Sequence, residues 1–172
     1  MTLDLYFGCD ESNNGRPLEI HTGVFSVHAS DAKIVPILLP KFRSHKNLFK
    51  RLRNRTYSFL LFTDTDRVNI PKQERLGTIV SSLLYEEFDW AEFDSFNFLL
   101  DGDRSKKEIE YFVNIVTDKI PAIKPDKMSV SWGGKFDQKY LVVNLADELA
   151  HYLYRRGVDA ISEHRDRKVL IY

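Results

Sequence analysis

Three stretches of β-type sequence follow one another before the first long helical stripe, and after it strand and helix alternate. Residues 3–9 run mostly apolar into Gly8-Cys9, residues 20–28 alternate, and residues 56–63 read Thr-Tyr-Ser-Phe-Leu-Leu-Phe-Thr. Period-two patterning rich in β-branched and aromatic residues predicts strands. Asn13-Asn14-Gly15 with Pro17 marks the turn between the first two. Pro71 is placed to open a helix, with Leu76, Ile79, Val80, Leu83 and Leu84 at helical spacing up to Glu87. A short buried strand, 95–100, comes next. Ser105 and Glu108 then form a capping-box pattern ahead of the stripe Ile109, Phe112, Val113, Val116 and Ile120. Residues 127–132 read as a fifth strand. A helix over 139–156 shows Leu141, Leu145, Leu149 and Leu153 on one face and stops at Gly157. The charged tail 158–172 ends in Val169-Leu-Ile-Tyr, a terminal edge-strand pattern.

Three consecutive strands predict an antiparallel meander, and the later alternation predicts parallel strands with helical crossovers. The expected fold class is therefore α/β, a mixed five-stranded sheet flanked by helices. At 172 residues, with no repeat and no Pro-, Gly- or Ser-rich linker, residues 1–172 read as one domain.

The acids sit at the ends of these elements. Asp10-Glu11 follow the first strand, Asp101 follows the fourth, Asp137 precedes the last helix and Asp147 lies within it. If the fourth strand runs parallel beside the first, Asp10 and Asp101 are neighbours, because adjacent strands are ~4.8 Å apart. Several carboxylates on a rigid scaffold are what hard cations such as Mg²⁺ need to bridge phosphate, so the pattern points to a two-metal phosphodiesterase. Successive strand residues face opposite ways, so Glu11 joins Asp10 only if the strand bends or ends there. Asp137 and Asp147 would be ~15 Å apart in one continuous helix, so both enter one metal shell only if the backbone breaks between them.

Composition narrows the setting. The formal net charge is +0, which announces no nucleic-acid binder, but the distribution is polarised. Lys41, Arg43, Lys46, Lys50, Arg51, Arg53 and Arg55 crowd one segment with Phe42 and Phe49, and acids dominate residues 86–94. Such a tract can grip a phosphate backbone, and its aromatic residues can stack on bases or pin a loop to the core. Lys135, in Gly133-Gly134-Lys135, could hold a phosphate but lacks P-loop spacing. A single cysteine, Cys9, excludes an internal disulfide and favours a reducing, cytoplasmic location. No apolar run approaches a membrane span. Among the histidines, His21, His28, His45 and His164 show no metal-ligand spacing.

Three segments carry a family likeness. Gly8-Cys9-Asp10-Glu11-Ser12-Asn13-Asn14-Gly15 resembles the motif Gly-x-Asp-Glu-x-Gly-Arg-Gly, and Leu99-Leu100-Asp101-Gly102 resembles a strand ending in Asp-Gly. Lys135-Phe136-Asp137-Gln-Lys-Tyr140, running on to Ala150, resembles a Lys-Ala-Asp-x-x-Tyr-Pro segment. Together they resemble a divergent type 2 ribonuclease H of the ribonuclease H-like superfamily. The resemblance implies the ribonuclease H-like fold, and Asp10, Glu11, Asp101 and Asp137 as ligands of two Mg²⁺ or Mn²⁺ ions. It also implies RNA–DNA hybrid or DNA as partner and substrate. The family's Gly-Arg-Gly loop, which contacts the 2′-hydroxyl, here becomes Asn13-Asn14-Gly15, followed by Arg16. A looser group of ribonuclease H-like proteins ends in a helix carrying Leu-Ala-Asp, and by that comparison Asp147 supplies the last ligand. Two further readings stand beside the hybrid nuclease: a domain on this fold that binds nucleic acid or protein without cutting, and a DNA-processing nuclease.

Overall fold

The sheet forms around the first strand. β1 (Asp4–Ser12) pairs antiparallel with β2 (Leu18–Ser26), which pairs antiparallel with β3 (Thr56–Thr63). On the other side β1 takes β4 (Ser95–Asp101) in parallel, and β4 takes β5 (Met128–Gly133) in parallel. The order β3-β2-β1-β4-β5 is the expected meander plus two parallel strands. The computed structural model describes residues 3–12, 18–39, 47–84 and 89–157, the side chains of residues 11, 12 and 18 apart. Asn13, Asn14, Gly15 and Arg16, the tract from Lys41 through Arg43 to Lys46, the helix end at Glu87 and the tail 158–172 lie outside the described residues.

Two apolar layers cover the sheet. On one face Leu5, Phe7, Cys9, Phe98 and Leu100 pack against α3 (Arg75–Leu84) and α4 (Lys106–Lys119). On the other, Ile20, Val24, Phe59 and Leu99 pack against α6 (Leu141–Arg156), with Leu48 and Leu52 of α1 (Leu48–Leu52) beneath. Phe49 meets Tyr57 and Tyr152 edge-on, which pins α1 to this layer. A side chain on Gly8 would stand 2.6 Å from the Val142 backbone, so glycine there lets α6 lie directly on β1. Thr22 adds a bolt, its hydroxyl donating to the Ala146 carbonyl at 2.7 Å.

Several boundaries differ from the sequence expectation, each for a local reason. β1 does not end at Cys9 but runs through Asp10 and Glu11, which pair with Thr22 and His21. Pro71 does not open the third helix. It follows a helix the pattern did not show, α2 (Asp64–Asn69), which the Thr63–Asp66 capping box starts directly from the end of β3. The residue before a proline is driven out of the helical region, so Ile70 is extended (φ −103°, ψ 119°) and α2 stops. The stripe beyond begins only at Arg75.

The last helix is also broken. α5 (Phe136–Lys139) is one turn, Tyr140 is extended (φ −120°, ψ 128°), and α6 starts at Leu141. The break frees carbonyls that the surroundings satisfy. Asn144 Nδ2 donates to the Asp137 carbonyl, and the Leu39 and Val35 amides donate to those of Gln138 and Lys139.

Candidate active site

Parallel register sets the centre of the site. Cys9 pairs with Leu100, so the next residues, Asp10 and Asp101, emerge side by side at the same edge of the sheet. Both are half-buried. Asp10 shares its strand face with Gly8, the face covered by α6. Asp101 lies on the same side, where its Oδ1 accepts the Phe136 amide at 2.6 Å and the Asp137 amide at 3.3 Å. Asp101 therefore starts α5 as well as standing beside Asp10, and that anchor brings Asp137 to the edge. Asp137 is buried, at 2% exposure.

The broken helix changes how Asp137 and Asp147 relate. With Tyr140 extended, the straight-helix separation does not apply. The α6 turn containing Asp147 is held against the Asp10–Thr22 pair by the bond from Thr22 to Ala146. Asp147 is half-buried there. Among the described residues, no three His, Cys, Asp or Glu side chains converge closely enough to hold a metal ion. Glu11 occupies the strand position opposite His21.

The basic residues divide. Lys50 and Arg53 are exposed at α1, and Lys135 is exposed with left-handed backbone (φ 67°) before α5. Arg51 is turned inward, bonding Glu148 at 2.6 Å and Asn144 at 3.0 Å on α6. Glu148 is 2% exposed, so this pair helps seat α1 on the helix. Arg55 is likewise bound, to buried Asp31.

Sequence reasoning missed a second polar cluster, on the sheet face opposite Asp10. Glu19 and His21 are both buried and bond at 3.1 Å, and Arg67 reaches Glu19 from α2 at 2.7 Å. The signal was present in Glu19-Ile20-His21, since period two puts both polar residues on one strand face.

Comparison with known proteins places the fold. No protein-family profile and no curated protein sequence matches the chain. Solved structures do. Ribonuclease HII of Archaeoglobus fulgidus, in a complex with PCNA, matches with TM-score 0.60 and 14% identity over 93% of this chain and 77% of its own. Ribonuclease H2 of Pyrococcus horikoshii OT3 matches with TM-score 0.58 and 15% identity, over 92% and 76%. Bst-RNase HIII in complex with Mn²⁺ matches with TM-score 0.53 and 11% identity over 95% of this chain, which spans 56% of that protein. The chain has the ribonuclease H-like fold, and its similarity is to the type 2 ribonucleases H.

Proposed function

We propose that this protein is a divalent-metal-dependent nuclease of the ribonuclease H kind, hydrolysing phosphodiester bonds of nucleic acid. The RNA strand of an RNA–DNA hybrid is its first candidate substrate. The observation that carries this reading is the Asp10–Asp101 pair at adjoining ends of parallel β1 and β4, beside the α5 turn that bears Asp137. The donor set fits Mg²⁺ or Mn²⁺, because every candidate ligand is a carboxylate oxygen and hard cations take oxygen ligands. In this reading Asp10, Glu11 and Asp101, with Asp137 or Asp147, hold two ions. Bound there, the ions would lower the pKa of a water and neutralise charge on the leaving oxygen.

The chain's own residues do the rest. β1 and β4 hold two carboxylates at fixed spacing on adjacent inner strands of the sheet. Anchoring Asp101 Oδ1 to two backbone amides sets that side chain's orientation and leaves Oδ2 as the oxygen to face a cation. Lys50, Arg53 and Lys135 would grip backbone phosphates together with Arg16, Lys41, Arg43, Lys46 and the Asn13-Asn14-Gly15 loop, binding with steep salt dependence and little sequence preference. Arg51 would contribute mainly by positioning α1. A cytoplasmic setting goes with the lone Cys9. No helix among the described residues is long and apolar enough to cross a membrane.

One observation favours a second reading, a domain on this fold that binds nucleic acid without cutting it. Asp101 Oδ1 already serves the backbone, accepting the Phe136 and Asp137 amides. Cleavage separates the two. End-labelled RNA–DNA hybrid, DNA with one embedded ribonucleotide, double-stranded RNA and single-stranded DNA are incubated in Mn²⁺ or in EDTA. Asp10→Asn and Asp101→Asn are run beside the wild type, the latter keeping the amide-capping oxygen. The nuclease reading expects cutting in Mn²⁺ alone, lost in both variants. Salt-sensitive binding with no cutting of any substrate would reject it for the binder.

A further inference from the structure

On the sheet face opposite Asp10 a cavity of about 330 Å³ opens at the same edge, with Asp101 at its border. Cys9 and Leu100, the chain neighbours of Asp10 and Asp101, line it, because alternation turns them the other way. Its apolar wall is completed by Phe62, Leu76 and Ile79. Four cations reach its rim: Arg67 from α2, Lys72 from the α2–α3 connection, Arg75 from α3 and Arg104 from just before α4.

These cations differ in what already holds them. Arg67 is neutralised by Glu19 and Asp64. Among the described residues Arg75 donates to the carbonyls of Ile70 and Arg67, which fix the side chain without cancelling its charge. Arg104 gives one N–H to the Asp101 carbonyl, and its Nε is buried with no acceptor among the described residues. Lys72 is exposed at the mouth. The carboxylates in the lining are already engaged: Glu19 by Arg67 and His21, Glu108 by the amide and hydroxyl of Ser105, and Asp101 Oδ1 by the Phe136 amide. Neutral donors leave the Glu108 and Asp101 charges in place, but the four cations of the lining outnumber its three carboxylates, Glu19, Asp101 and Glu108, so it stays positive, with the Arg104 Nε an unused donor among the described residues.

We propose that this cavity binds a phosphate monoester carried on a flat apolar ring, the chemistry of a single nucleotide. The ring lies against Phe62, Leu76 and Ile79, and the phosphate is held by Lys72, Arg75 and Arg104. The volume is at the small end of ligand pockets, roughly 300–1,000 Å³, which suits one nucleotide better than two. The site requires no metal and does not depend on the cleavage reading, so the two fail separately.

Calorimetric titration of the full chain in EDTA tests it, with adenosine monophosphate and with inorganic phosphate. The expected result is one saturable nucleotide site, with inorganic phosphate at least tenfold weaker. Lys72→Gln with Arg104→Gln should weaken nucleotide binding tenfold or more, and Lys72→Gln alone, at an exposed position, should weaken it measurably without affecting folding. Asp10→Asn should leave it unchanged. A 5′-phosphorylated hexanucleotide run in parallel reads the source of the phosphate. Binding lost in the double variant assigns it to a strand end, and binding of the mononucleotide alone assigns it to a free nucleotide. No saturable binding by the wild type, or equal binding by the double variant, overturns the proposal.

Discussion

Gly8→Ala is the sharpest test of how the site is assembled. A Cβ at this position would lie 2.6 Å from the Val142 carbonyl carbon, 2.7 Å from its oxygen and 2.7 Å from the Val143 nitrogen. All three atoms belong to the α6 backbone, so no rotamer change relieves the clash and the helix itself must move. Overpacking a core by one methyl costs about 1–3 kcal/mol, and a rigid backbone neighbour puts this case near 3. For a domain of this size 1 kcal/mol shifts Tm by about 2–4 °C, so a loss of roughly 6–12 °C is expected. Circular dichroism melts and urea titrations measure it, with Gly134→Ala as control. There the nearest neighbour of a new Cβ is 3.9 Å away, and the change should stay within about 0.5 kcal/mol. Lifting α6 also loosens the Thr22–Ala146 bond beside Asp10, so cleavage should fall further than stability alone explains. A Gly8→Ala protein within 1 kcal/mol of wild type would refute the direct seating of α6 on β1.

Two ion pairs give separable outcomes. Asp31 is 1% exposed, and burial pushes its carboxyl pKa up. Bonds from Arg55 and Ser26 outweigh that, so the net shift is downward. The stability this supplies is present above about pH 4, the unfolded value, and is lost as pH falls through the depressed folded value. Asp31→Asn should flatten urea stability across that acidic window, whereas Arg55→Met at neutral pH should lose about 3–5 kcal/mol by stranding the carboxylate. Arg51→Ala should likewise destabilise by about 3 kcal/mol, because it leaves buried Glu148 without its cation. Lys50→Gln and Arg53→Gln, at exposed positions, should leave the urea midpoint unchanged and each lower the salt slope of nucleic-acid binding by roughly 1.

Much of the architecture was legible because it rests on short-range pattern. The run of aromatic and apolar residues in 56–63 predicted β3, and the Ser105–Glu108 spacing predicted the start of α4, where both halves of the capping box form. The strand–acid junctions predicted Asp10 beside Asp101 if β4 ran parallel beside β1, and the Cys9–Leu100 register puts them there. The break at Tyr140 was not legible. It depends on Asp101 Oδ1 capturing the Phe136 amide from 35 residues away, and on Val35 and Leu39 taking up the carbonyls that the break releases. Nor could composition separate Arg51, turned into Glu148, from Lys50 and Arg53, exposed beside it.

The sequence alone determined the five strands, the long helices and which face of each is apolar, because backbone geometry converts residue spacing directly into side-chain direction. Tertiary structure alone decided where α6 sits, where its helix is interrupted and which charges stay free. Those depend on contacts such as Gly8 with Val142, between residues far apart in the chain, and no local period encodes them.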